Sequence, residues 1–384
     1  MIVTLHGGFG EKGRTSVGVE TGNTSLLLDV GVNTSGSGAD IYPRISQGQL
    51  RRQSAIVVSH AHEDHVGALG WCLANGFAGQ VFMTAETEAE MRDIVAAYDA
   101  ASGRAALAIS GIQIIAPGQS FTVGDAIIAS GRSGHTVGGI WLSVSDRRHR
   151  VIYCADVVPG SGVLGMDPLP PCDAILFDGS YGVDPVGMNE RTAQIKAWLR
   201  EHPGGCLLPT PLAGRSLELL GALSEPAAIH ASMRQPLLRQ IADESWLRPG
   251  IGALLRERIL AAEDWTDNMP FPQRPILVHD GMGIAGPAAV AIGRAARERL
   301  PILLTGHLPT GSPAQILFAA GRAAWIRLPT HPTLPDNLAL LGACGARIAV
   351  PHSCSPDEME QFRGQFPAVV RTLVTGQSFS LQGR

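Results

Sequence analysis

Residues 59–67 read Ser-His-Ala-His-Glu-Asp-His-Val-Gly and follow directly on the apolar run Ala55–Val58. Three imidazoles and a carboxylate, those of His60, His62, Asp64 and His65, therefore stand within six residues at the end of a predicted strand. Burying so many polar groups without partners costs several kcal/mol, so core packing does not account for them, whereas a bound cation does. At a strand end, alternation puts His60 and His62 on one side, and the turn beyond sends Asp64 and His65 to another. One short segment can then serve two neighbouring metals. The mixture of imidazole and carboxylate suits zinc, and manganese or iron less well. A solvated histidine-rich turn is the alternative reading.

The frame around this segment is set by size and composition. A chain of 384 residues is expected to form two domains. With 45% hydrophobic and 17% charged residues it is neither disordered nor a coiled coil. No apolar run approaches the roughly 18 residues of a membrane span, so no membrane partner is expected. The formal charge is -4, and all but two of the 30 basic residues are arginines, Lys12 and Lys196 being the lysines. That balance does not suggest a strongly basic nucleic-acid binder. Six scattered cysteines without a C-x-x-C pair read as reduced core thiols. The N-terminus lacks a basic n-region and an adequate h-region, which makes the cytoplasm the expected location.

Short β-patterned runs come first: Ile2–Leu5, Ser16–Glu20, Ser25–Val30 and Ala55–Ser59. A helix is expected over Glu86–Ala101, then strands over Gln113–Ile115, Ala126–Ser130, Ile140–Val144 and Val151–Ala155. From about Asn189 helix and strand alternate, which predicts a mostly parallel sheet covered by helices. The alternating units are Glu190–Glu201, Cys206–Pro209, Ser216–Leu223, Ala227–His230, Met233–Ile241, Ile276–Val278, Ala288–Arg297 and Ile302–Leu304. A last block, from Trp325, leads through Ile348–Val350 into Pro351-His352. No internal repeat or low-complexity segment is present.

The histidine segment resembles the signature of the metallo-β-lactamase fold superfamily, and three further segments follow the order that family shows. Leu26 to Gly31 matches the early strand end, whose Asp29 the resemblance makes a residue that orients metal ligands. Ser133 to Gly139 matches the segment of the third ligand, His135. Cys154-Ala155-Asp156 matches the strand-end acid that bridges two metals.

The second half is similar to the β-CASP family of metallo-β-lactamase-fold nucleases, which includes ribonucleases and the endonuclease of pre-mRNA 3'-end cleavage. Phe177 to Gly182, with Asp178, looks like its acidic motif A. Gly204 to Pro209 followed by Ala213 to Leu220 resembles the opening of its cap. Pro329-Thr330-His331 is placed like motif B and Val350-Pro351-His352-Ser353 like motif C. The implied fold is α/β: an αββα metallo-β-lactamase sandwich with an inserted, mostly parallel α/β β-CASP domain. Residues 1–185 and 326–384 would form the sandwich and 186–325 the cap.

On this resemblance His60, His62 and His135 would hold one Zn²⁺, and Asp64, His65 and His352 the other, with Asp156 and a hydroxide between them; Mn²⁺ is the alternative metal. The expected activity is phosphodiester hydrolysis in RNA, endo or exo, with His331 as general acid oriented by Asp178, and with Asp64 counted among the catalytic residues. His352 favours RNA, since members acting on RNA tend to carry His there and the DNA-repair members an aliphatic residue; the RNA partner is expected to be single-stranded. A DNA nuclease, a catalytically silent RNA-binding subunit and a small-molecule hydrolase are the competing readings, and a homo-oligomer stays open. Gly281, Gly283 and Gly286 spell G-x-G-x-x-G, but the next strand ends without a ribose-binding acid, so a tight turn is preferred over a dinucleotide site, with a nucleic-acid phosphate as its conceivable contact. Arg215 and Glu218 are expected as a structural ion pair or a cap-helix contact.

Overall fold

A computed structural model describes residues 1–98, 111–224 and 226–381. Two sheets face one another. The first runs in the order Ser378–Ser380, Ile2–Gly7, Ser16–Glu20, Ser25–Leu28, Ala55–Val57, Gln80–Met83, Gln113–Ile114. It is antiparallel at its outer end and parallel from Ser25–Leu28 onward. The second runs Ile348–His352, Ala174–Asp178, Arg150–Tyr153, Ile140–Ser145, Ala126–Arg132, Ser120–Val123.

The strand sequences explain the layering. Leu26 and Leu28 point inward to meet Leu142, Val144, Val151 and Leu176 of the other sheet. Leu27 and Ile56, on the reverse face, pack on Leu69, Met91 and Val95 of helices. Ile152, Ile175 and Phe177 likewise pack outward on Leu340, Leu341 and Phe362. Strands covered on both faces need continuous apolar runs, and each fully buried Leu or Ile stabilises by about 1.5–3 kcal/mol. The result is helix, sheet, sheet, helix.

Between Asp178 and Ile348 the chain builds a separate sheet of four parallel strands: Cys206–Pro209, Pro275–Val278, Ala228–His230 and Glu263–Trp265. Leu303–Leu304 and Ala324–Trp325 pair beside it. The fold class is therefore a mixed α/β sandwich with an inserted α/β unit, as expected. Several elements escaped sequence reading. The helix Ile251–Ala261 begins at Gly250 in a left-handed conformation with no side-chain cap, and the strand Glu263–Trp265 is short, polar and at a sheet edge. The helix expected over Glu86–Ala101 spans Ala85–Tyr98, and its last expected residues lie outside the described ones. The cysteines are free, and all but Cys172 are buried. Among the described residues no helix is long and apolar enough to cross a membrane.

Candidate metal centre

Every site segment leaves the carboxyl end of a strand. Asp29 follows Ser25–Leu28, the histidine segment follows Ala55–Val57, Asp156 follows Arg150–Tyr153, and Asp178 and His352 are the last residues of their strands, paired in register. The turns are sharp. Asp29, Ala155 and Ser353 adopt left-handed φ of 59°, 50° and 57°. Such conformations cost a non-glycine residue about 1 kcal/mol or more and persist only where the surroundings enforce them.

Asp29 is wholly buried and gathers four donors. Its carboxylate accepts from the Ser59 N–H (2.6 Å), the Ser59 hydroxyl (2.6 Å), the Tyr153 hydroxyl (2.7 Å) and His65 Nδ1 (2.7 Å). With its proton committed to Asp29, the Ser59 oxygen accepts from His60 Nδ1 at 3.0 Å. The Thr330 carbonyl, 2.7 Å away, can only accept and so fixes the proton of His135 on Nδ1. His60 and His135 thus both present the lone pair of Nε2.

Those two lone pairs converge on His62, whose Nδ1 lies 3.1 Å from His60 Nε2 and 3.2 Å from His135 Nε2. Asp156 Oδ2 stands 3.4 Å from His135 Nε2 and 3.7 Å from His60 Nε2. Burial lowers the affinity of all three imidazoles for protons, that of His135 to about 3 and that of His60 well below the ordinary value. Three neutral imidazoles and a carboxylate facing one another at these distances are a donor set for a cation.

A second group adjoins it through the other oxygen of Asp156. Asp156 Oδ1 and His65 Nε2 lie 3.3 Å apart, both buried and both without a hydrogen-bond partner, and Asp64 Oδ2 is 3.7 Å from His65 Nε2. Against the effect of burial, the charges of Asp156 and Asp64 and the bond to Asp29 raise the His65 imidazole well above its ordinary value. The carboxylates there call for positive charge. Ligand atoms of Asp156, Asp178 and His352 also fall within 4.8 Å of one another. His352 currently uses Nδ1 on the Ser353 hydroxyl (2.9 Å) and Nε2 on the Ala155 carbonyl (3.1 Å). Asp64 joins neither compact group of potential ligands and is the more exposed of the acids here.

Asp178 is already engaged. Its Oδ1 accepts from the Ser180 N–H (3.0 Å), and its Oδ2 from the Val157 N–H (3.3 Å) and from His331 Nδ1 (2.9 Å). His331 Nδ1 is also 3.7 Å from Asp156 Oδ2. Burial opposes protonation of His331, but the charges of Asp178 and Asp156 prevail and raise it to about 10.

Sequence reasoning missed four supports of this centre: Ser59, Tyr153, Thr330 and Tyr181, whose hydroxyl meets the Thr330 hydroxyl at 3.0 Å. A tyrosine in an otherwise apolar strand signals a buried hydroxyl in search of an acceptor, and Tyr153 fits that signal. Arg215 and Glu218 do not pair with each other. Arg215 donates to the Thr330 hydroxyl (3.0 Å), and Glu218 accepts from the Ser161 hydroxyl and the N–H groups of Gly162 and Val163. The glycine turn at 281–286 is closed by its own side chain, since Asp280 takes the N–H groups of Met282, Gly283 and Ala285 at 2.5–2.8 Å, so it has no open cradle for a phosphate. After His331, Thr333 caps the helix Leu334–Cys344 in a box with Asp336.

The family description "Metallo-beta-lactamase superfamily" matches residues 10–243. The transcription termination factor FttA of Cenarchaeum symbiosum (strain A) is 24% identical over 285 residues, covering 62% of this chain and 44% of that protein. The endoribonuclease ysh1 of Aspergillus fumigatus is 22% identical over 427 residues, covering 92% of this chain and 47% of that protein. The chain thus spans less than half the length of these relatives. A crystal structure of a protein of unknown function from Enterococcus faecalis V583 superposes with a TM-score of 0.63 at 14% identity, over 99% of both chains, which bears on the fold alone. Membership implies binding of a divalent metal, which the donor set above suits. The matched region takes in Asp29, the histidine segment, His135, Asp156 and Asp178, and the chain belongs to the metallo-β-lactamase superfamily.

Proposed function

We propose that this protein is a dizinc phosphodiesterase that hydrolyses RNA. His60, His62 and His135 would hold one ion and Asp64, His65 and His352 the other, with Asp156 between them. When bound, such ions supply a nucleophilic water at neutral pH and stabilise charge on phosphoryl oxygens. The residues of the chain do the rest. Asp29 holds His65, Ser59 holds His60, and Thr330 holds His135, each through the nitrogen that faces away from the cluster. His331, fixed by Asp178 through Nδ1, keeps a proton on Nε2 for the leaving oxygen. Residues 1–185 with 326–384 would form the catalytic sandwich and 186–325 the cap.

The single observation that carries the reading is the His331–Asp178 pair beside the converging imidazoles, an acid poised next to a cation site. The RNA substrate is supported by relatives named as ribonucleases. Metal-loaded protein is expected to shorten 5'-labelled single-stranded RNA and to act less on DNA of the same sequence. His331→Ala should lower kcat by about 10²–10⁴ with metal content unchanged. Chelation should abolish activity, and zinc should restore it. Inertness of the metal-loaded wild type on both strands would overturn the proposal.

A further inference from the structure

Residues of the sandwich and of the inserted unit line an open cavity of about 400 Å³, among them Tyr181, Asp184, Arg191, Trp325, Arg327 and Glu358. The Tyr181 ring meets the His331 ring edge-on at 5.1 Å, so one wall residue of the cavity touches the proposed general acid. The Arg327 guanidinium lies 4.7 Å from the Tyr181 ring centre and 5.1 Å from that of Trp325. Three flat groups therefore line one side. Arg327 reaches Asp184 at 3.8 Å, and Arg191 reaches it at 3.2 Å.

The charges in this wall balance, two arginines against Asp184 and Glu358, so the cavity offers little to an isolated phosphate. What it offers is planar surface and an unspent acceptor. Arg191 spends a terminal nitrogen on both oxygens of Asp184. Glu358 commits Oε2 to the Ser355 N–H (2.7 Å) and hydroxyl (2.9 Å), which leaves Oε1 free to accept. A neutral ring with an N–H donor on its edge suits that oxygen while its face meets the planar groups, and the volume lies in the range of small-ligand sites. Stacking on aromatic and guanidinium planes is how bases of single strands are held, since a duplex keeps its faces hidden.

We propose that this cavity seats one nucleobase of a single-stranded RNA flanking the bond to be cut. The proposal rests on the phosphodiesterase reading and names the feature that would select single strands.

The test measures binding apart from turnover. Fluorescein-labelled single-stranded RNA is titrated by anisotropy into protein carrying His331→Ala, so that it is not consumed, with and without Trp325→Ala, Trp325→Phe or Arg327→Ala. Trp325→Ala should weaken Kd about tenfold and Arg327→Ala several-fold, whereas Trp325→Phe, which keeps a stacking ring, should stay within about twofold. On an oligonucleotide series with a single abasic position moved along the strand, one position should erase the difference between Trp325→Ala and its parent. Equal Kd values for Trp325→Ala and its parent, equal losses for Phe and Ala, or a difference that persists at every abasic position would each overturn the proposal. Turnover is read separately with His331 present. The wild type is assayed on RNA and on bis(p-nitrophenyl) phosphate, a simple activated diester. If the wild type hydrolyses neither that diester nor RNA, the phosphodiesterase reading has failed, and the Kd contrast still decides the base seat.

Discussion

Asp29 accepts four hydrogen bonds in a site closed to water, and two of the four donors, His65 and Ser59, go on to place groups of the metal centre. Its replacement by asparagine keeps the shape but turns one oxygen into a donor that faces other donors. Asp29→Asn should therefore weaken metal binding about 10–100-fold, measured by competition with a chromophoric chelator. Tyr153→Phe removes one donor of the four and should lower stability by about 1 kcal/mol with metal affinity nearly unchanged. Metal affinity equal to wild type in Asp29→Asn would show that the carboxylate does not position the ligands. At this scale much was open to reading from sequence, because buried polar residues at strand ends have few explanations other than function. The backbone was not: nothing in the sequence marks the Thr330 carbonyl as the acceptor for His135. Arg215 and Glu218 share a helical turn, which suggested a pair, yet each has stronger partners across the fold.

Elements position these residues by close approach of backbone to backbone. Gly31 lies against the turn that carries Asp64 and His65, where a Cβ would penetrate the Asp64 carbonyl and lie 2.7 Å from the His65 nitrogen. The Gly31 N–H and the Thr15 N–H also tie this crossing, to the Thr15 and Asp64 carbonyls respectively. Gly31→Ala must displace backbone and not a flexible side chain, so it should destabilise by about 1–3 kcal/mol or more and reduce bound metal. Gly204→Ala is the control, since no atom lies within 4 Å of the added methyl and the residue is exposed in a turn, and it should change the urea midpoint little. Similar effects of the two substitutions would refute the argument. Strands of the sandwich were legible because burial on both faces demands unbroken apolar runs. The cap helix Ile251–Ala261 was not, because its ends lack side-chain signals, and tertiary packing of Leu255 and Ile259 holds it instead.

At the scale of the whole molecule, the sandwich and the insertion share an apolar core. Val158, Val163 and Leu164, which leave the sandwich just after Asp156, pack with Leu217, Leu219 and Leu220 of the helix Arg215–Ala222. Glu218 on that helix closes the joint by accepting from the Ser161 hydroxyl and from the Gly162 (3.1 Å) and Val163 (3.3 Å) N–H groups. Glu218→Ala would orphan those buried donors and should lower stability by about 1–3 kcal/mol. The pH dependence has a definite sign. Burial raises the Glu218 carboxyl above its ordinary 4.5, although Ser161, Gly162, Val163 and Arg248 pull it down. Below the ordinary value the folded and unfolded chains both carry the proton. As pH climbs from there through the raised folded value, the unfolded chain ionises freely while the folded one must hold an ion in a buried joint, so the stability owed to this residue falls. Gln does not titrate and keeps an acceptor oxygen. The urea midpoint of Glu218→Gln, taken relative to wild type, should therefore rise as pH climbs above the ordinary 4.5 and level off above the folded value. A relative midpoint that stays flat would mean that burial does not raise this carboxyl, and one that falls with pH would mean that the three donors stabilise the charged carboxylate in the joint.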